Sequence, residues 1–292
     1  MTDTRQAAID LYDRFTHEGM DRRAFMAELT KIAGSAAAAT ALLSGIAASP
    51  AAAAIVPPTD PRLIARRETW TLPDGRKMSG YAAALRDQPG KRASVLVVHE
   101  NRGLTPHIED VARRVALGGY HAVAPDFLSA LGGTPTDENA ARDLIGKLDL
   151  AQATADGVAT LAKLKRRRTG NGNAGAVGFC WGGAMVNRLA VDGGAALDAG
   201  VPYYGTAPAP AEAGRVQSPL LIHLASLDAR VNGSALPWGE ALKAAGKDVR
   251  VINHQGVNHA FNNDTSAERY NKAAADQAWG QTLAFFGEHL RA

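Results

Sequence analysis

Cys180 is the one cysteine in the chain, and it stands in Gly178-Phe179-Cys180-Trp181-Gly182-Gly183. A short apolar run, Ala174 to Val177, precedes this hexapeptide, and a helix-like stretch, Ala184 to Ala190, follows it. Strand, Gly-x-nucleophile-x-Gly, helix is the sequence of a nucleophile elbow, most often built around serine. The elbow holds its nucleophile in a strained backbone conformation, and its glycines keep β-carbons out of a crowded turn. A sulfur at a helix N-terminus gains from the free N–H groups and the dipole, both of which favour the thiolate. The competing reading is a small buried core residue, as most free cysteines are.

A thiol nucleophile needs a histidine base and a carboxylate that orients it. Ser218 to Ser226 reads as a buried strand running into Leu227-Asp228-Ala229. Asp228 then falls beyond a strand's carboxyl end, where open α/β sheets present their ligand sites. The next strand, Val249 to Ile252, leads into a loop carrying His254 and His259 ahead of a C-terminal helix. The order nucleophile, acid, base gives a candidate triad of Cys180, Asp228 and His259. His254 competes for the base but lies nearer the strand end. His223 reads as a hydrogen-bonded core histidine, and His99, His107 and His121 precede the elbow. Asp264 is an alternative acid, or a loop cap. No metal-ligand spacing such as His-x-x-x-His is present, so no metal is expected.

Alternating elements surround these residues. A hairpin is predicted from 68–72 and 77–81 across Pro73-Asp74-Gly75-Arg76. Strands follow at 94–98, 121–124, 174–179, 199–204, 219–225 and 248–253. Helices are expected near 106–118, within 136–168, at 182–192 and 234–245, and finally at 266–289. This alternation predicts an α/β fold: a mostly parallel sheet with helices on both faces and an antiparallel N-terminal hairpin. The 292 residues, 46% hydrophobic and 21% charged, suffice for one large domain, placed at 66–292 after a Pro-rich linker at 55–65. A formal net charge of +3 without a basic stripe gives no reason to expect nucleic acid. The run Lys163 to Arg168 reads as a solvated helix end opposing the helix dipole.

Residues 1–54 differ in character. Arg22-Arg23-Ala24-Phe25 precedes a mild, alanine-rich apolar run from Ile32 to Ala48, and small residues follow at Ser49 to Ala54. This resembles a twin-arginine export signal with a small-residue cleavage site, which would make the protein periplasmic. The alternatives are an uncleaved membrane anchor or an N-terminal helix packed on the fold. The mature form is expected to have no membrane association.

Four motifs in order resemble the dienelactone hydrolase family of α/β-hydrolases, carboxymethylenebutenolidase among them. They are His99-Glu100-Asn101-Arg102-Gly103, Pro125-Asp126, the cysteine elbow, and Gly256-Val257-Asn258-His259-Ala260-Phe261. The likeness covers roughly residues 66–290. It implies that Glu100 holds the resting thiol until substrate displaces it; the competing role is a solvated loop acid that caps the next helix. Backbone N–H groups of Trp181 and Asn101 are the expected oxyanion donors. Two positions depart from the family's dienelactone-cleaving members, whose arginines hold the substrate carboxylate. This chain has Phe127 to Leu131 at one and Asn263 at the other, leaving Arg102 and Arg230 as substitutes. The expected function is cofactor-free hydrolysis of a small ester or lactone through an acyl-thioenzyme. A thioesterase or acyl-transfer activity, or a silent hydrolase-fold binding protein, are the alternatives.

Overall fold

The computed structural model describes residues 2–47, 54–87 and 89–291. Eight strands form one sheet in the order β1-β2-β4-β3-β5-β6-β7-β8. The chain opens the sheet with a hairpin, β1 (Leu63–Thr71) and β2 (Lys77–Leu85), and β2 pairs antiparallel with β4 (His121–Pro125). From there every pairing is parallel, through β3 (Arg92–Val98), β5 (Gly170–Phe179), β6 (Ala199–Tyr203), β7 (Leu220–Ala225) and β8 (Val249–His254). Strands β4, β6 and β7 are buried at every position, as strands covered on both faces must be.

Helices cover both faces and divide the apolar interior in two. On one side, α4 (Pro106–Leu117) and α9 (Lys272–His289) pack on the sheet through Val111, Val115, Phe285 and Phe286. On the other lie α6 (Leu150–Lys165), α7 (Trp181–Asp192) and α8 (Ala229–Ala244), with Leu161, Val186, Leu189 and Trp238 inward. The helices expected within 136–168 are two, α5 (Glu138–Ile145) and α6, each started by an aspartate cap, Asp137 and Asp149. The sheet begins at Leu63, three residues before the expected domain boundary, and the segment ahead of it is pinned. Asp110 accepts the backbone N–H groups of Ile55 and Val56 while the buried Arg113 donates to Val56 O.

The N-terminal segment is a folded unit. Helices α1 (Thr2–His17), α2 (Arg22–Ala33) and α3 (Ala36–Ile46) enclose a small core of Leu11, Tyr12, Phe15, Phe25 and Leu29. Asp21 and Ser35 cap α2 and α3 through their side-chain oxygens. Among the described residues no single helix is long and apolar enough to cross a membrane; α2 and α3 pass only as a pair bent by 106°. Most of the small-residue stretch proposed for cleavage lies outside the described residues.

Candidate active site

Cys180 caps α7 with φ 56° and ψ −113°, a conformation that costs energy for any residue with a β-carbon. Packing enforces it. A Cβ on Gly178 would stand 2.1 Å from Gly182 O, and one on Gly182 would stand 2.3 Å from Val98 O. These glycines let α7 start against the ends of β5 and β3, and the Cys180 N–H is fixed by Tyr203 O at 3.1 Å. The sulfur therefore projects above the carboxyl end of the sheet at a helix N-terminus.

Asp228 and His259, the acid and base candidates, come from the neighbouring strand ends. Asp228 follows β7, and its Oδ1 accepts the Val231 N–H at the start of α8. Its Oδ2 lies 2.6 Å from His259 Nδ1, which donates. Both side chains are buried. Burial opposes the charge on His259, but facing Cys180 and Asp228 outweighs it and raises the imidazole to about 10. Burial likewise opposes the Asp228 carboxylate; the His259 charge and hydrogen bond outweigh it and hold Asp228 below its ordinary range. Among the described residues His259 Nε2 has no hydrogen-bond partner of regular geometry, and it faces the sulfur.

His254 is occupied elsewhere: its Nε2 lies 3.0 Å from His223 Nδ1, in a buried chain that continues through Thr282 to Tyr203. His99 has a positioning task that its sequence context concealed. Its Nδ1 donates to Glu100 O and its Nε2 accepts the Phe127 N–H, while its ring stacks on Trp181. It thereby clamps the loop carrying Glu100 and Asn101. Neither the Trp181 nor the Asn101 N–H is spent on a backbone acceptor outside a helix or strand, among the described residues. Asp126 closes the loop 126–134 by accepting from Leu128 and Thr134, and Asp264 pairs with His107 and Arg114. Both serve the framework.

Glu100 departs from the expected contact. Its Oε2 accepts from Asn263 Nδ2 at 2.8 Å, and the group found on the thiol is His17, whose Nε2 lies 3.3 Å from Cys180 Sγ. The His17 and His259 rings meet edge to face at 4.9 Å. One ring nitrogen each of His17 and His259 and the Cys180 sulfur lie within 4.8 Å of one another. A thiol and two imidazoles at this spacing can exchange protons. Nothing local in the sequence marks His17, since α1 reaches the sulfur only through the tertiary fold.

A cleft of about 710 Å³ opens beside Cys180. Phe15, Met20, Ile145, Leu148, Trp181 and Tyr204 give it apolar walls, and Arg230 adds a cation. Arg102, the other candidate cation, is tied to Glu138 O and the Tyr12 hydroxyl.

Fold and site together define an α/β-hydrolase. The sequence model of the dienelactone hydrolase family matches residues 78–290, and the chain belongs to that family. It is 32% identical to protein usf of Aquifex pyrophilus over 74% of this chain and 96% of that one. A protein of Escherichia coli K12 provisionally assigned as a carboxymethylenebutenolidase is 30% identical over 86% of this chain and 97% of its own. Among solved structures, a provisionally assigned dienelactone hydrolase of Klebsiella pneumoniae aligns with TM-score 0.69 at 27% identity, over 77% of this chain and all of that one. The dienelactone hydrolase-like promiscuous phosphotriesterase P91, from metagenomic libraries, aligns with TM-score 0.70 at 25% identity, covering 79% and 100%. The chain is thus a hydrolase of the ester- and lactone-cleaving kind. The family match begins at residue 78, so α1–α3 lie outside it.

Proposed function

We propose that the protein hydrolyses a small carboxylic ester or lactone through a Cys180–His259–Asp228 triad and an acyl-thioenzyme. The observation that carries this reading is the buried His259, hydrogen-bonded to Asp228 through Nδ1 with Nε2 left for the sulfur. The Cys180 thiolate attacks the carbonyl carbon; a C–S bond forms and the carbonyl electrons move onto oxygen. The Trp181 and Asn101 N–H groups receive that oxyanion. Collapse breaks the C–O bond, and the leaving alkoxide takes the proton from His259 Nε2. Neutral His259 then deprotonates a water that attacks the thioester. The C–S bond breaks, the carboxylic acid leaves, and the thiolate–imidazolium pair returns. Asp228 keeps the His259 proton on Nδ1 in the neutral state.

The apolar cleft walls suit a substrate with a compact hydrophobic body. Arg230, whose Nε is buried without a hydrogen-bond partner among the described residues, suits an anionic group on it. Turnover of p-nitrophenyl acetate, a simple lactone and dienelactone by wild type and Cys180→Ala tests the reading. Activity lost in the variant supports it. No turnover on any of them, with a thiol inert to iodoacetamide, overturns it in favour of a silent binding protein.

We also propose export by the twin-arginine route with the N-terminal helices docked. Arg22 and Arg23 are exposed in the first turn of α2, which leaves the pair readable on the folded protein. Cell fractionation of wild type and Arg22→Lys/Arg23→Lys tests this; a cytoplasmic location for both overturns it.

A further inference from the structure

Helix α1 and its companions are bonded to several of the loops that build the site, those carrying Asn101, Cys180 and Asn258 among them. Gln6 and Asn258 exchange amide hydrogen bonds at 2.7 and 3.2 Å, one residue from His259. Arg102 donates to the Tyr12 hydroxyl and the Asn101 side chain to Thr16 O, on the oxyanion loop. Arg142 lies over the Phe15 ring at 4.7 Å. Ser266 and Arg269 both donate to Ile46 O, and Arg269 packs over Tyr12 and pairs with Asp13. Beneath this roof a cavity of only about 30 Å³ remains between α1, Glu100 and Asn263. The large cleft stays open beside the sulfur, with Phe15, His17 and Met20 as one wall.

The three-helix unit therefore shapes the site without sealing it, and its last α1 residue touches the nucleophile. We infer that the N-terminal helices are a working part of the active site, in which His17 is a second imidazole that positions the Cys180 thiolate and Met20 helps set which ester bodies fit. His17 Nδ1 lies 2.8 Å from Thr16 Oγ1. When that hydroxyl donates to Nδ1, the ring proton sits on Nε2 and is donated to the thiolate. With the hydroxyl turned to Tyr12 O, at 3.0 Å, the other neutral tautomer, protonated on Nδ1, lets Nε2 accept from the protonated thiol. His17 thus fits either state of the sulfur while His259 exchanges the proton. It stays uncharged because burial, the neighbouring His259 and Arg230 all disfavour a charge on it.

This inference rests on the thiol-hydrolase reading and on residues 2–47 staying with the enzyme. The other titratable or charged groups around the sulfur are His259 with Asp228, Arg230, Glu100, Tyr204, Asp13, Arg269 and Arg102, with Arg142, Asp143 and Lys147 across the cleft. The test uses the full chain as wild type, His17→Ala, His17→Gln and Met20→Ala, with intact mass recorded for each preparation. The pH dependence of Cys180 alkylation by iodoacetamide reads the thiolate directly and needs no substrate. Loss of one hydrogen bond to a charged sulfur should raise the alkylation midpoint by about one pH unit in His17→Ala. Gln, whose amide can donate, should recover part of that shift. Met20→Ala should leave the midpoint alone and raise KM for longer acyl esters with kcat held. An unchanged midpoint in His17→Ala overturns the positioning role, as does an active wild-type protein whose mass shows residues 1–47 removed. A normal thiol titration without turnover would instead fault the hydrolase reading.

Discussion

Asp228→Asn separates the catalytic reading of this aspartate from a purely structural one. Its Oδ1 accepts the Val231 N–H at 3.1 Å while Oδ2 accepts from His259 Nδ1 at 2.6 Å. An asparagine has one oxygen, and the Val231 N–H claims it, so the amide NH2 is left facing the imidazole. That donor forces the neutral ring to carry its proton on Nε2, the atom that must accept from the thiol or from water. It also removes the carboxylate that supports the imidazolium in a buried setting. The wrong tautomer in comparable triads costs about 10⁴ in kcat, equivalent to about 5 kcal/mol in the barrier. Because the α8 cap survives, thermal stability should change little. The assay is hydrolysis of p-nitrophenyl acetate across pH, with thermal unfolding as control. A loss below about tenfold with an unshifted pH profile would refute the argument and leave Asp228 as a helix cap only.

Three further outcomes follow from the packing. Gly182→Ala sets a β-carbon 2.3 Å from Val98 O and 2.5 Å from His99 O, so α7 must lift off β3. It should lower stability by about 1–3 kcal/mol or more and cut turnover, measured by urea unfolding and steady-state rates. Asp110→Ala strands the buried Arg113 and the Ile55 and Val56 N–H groups, for a loss of about 3–5 kcal/mol in the same unfolding experiment. Burial pushes His121 down to about 4, with like charges on Arg167 and Arg92 adding to it, and burial also leads the depression of His17. The unfolded chain protonates these rings near pH 6.5 while the native chain does not, so stability falls as pH drops from about 6.5 toward 4. His121→Gln should flatten that slope in urea midpoints measured across the range.

Much of the site was readable in one dimension because its parts are local motifs. The elbow glycines, Asp228 past β7 and His259 before α9 each stand where a strand ends, so element order alone predicts their convergence. The fold is legible for the same reason: the buried strands are short, mostly apolar runs, with His223 the polar residue inside β7 and His121 at the start of β4. What escaped notice depends on contacts between distant segments. The final helix starts at Lys272, where Asn271 caps it, because residues 266–269 instead hold α3 through Ile46 O. His17 could not be singled out, since a helix with export-signal features follows it and 163 residues separate it from the sulfur it touches. Glu100 is the residue expected at the thiol; instead its Oε2 accepts from Asn263 Nδ2.

The central claim is that Cys180 carries the acyl group. Rapid acid quench of the full-length enzyme during p-nitrophenyl acetate turnover, followed by intact and peptide mass spectrometry, tests it most directly. The account predicts a gain of one acetyl group on the peptide containing Cys180, labile to hydroxylamine, transient in wild type and long-lived in Asp228→Asn. Turnover with no acyl group on Cys180, or undiminished turnover in Cys180→Ala, would contradict it.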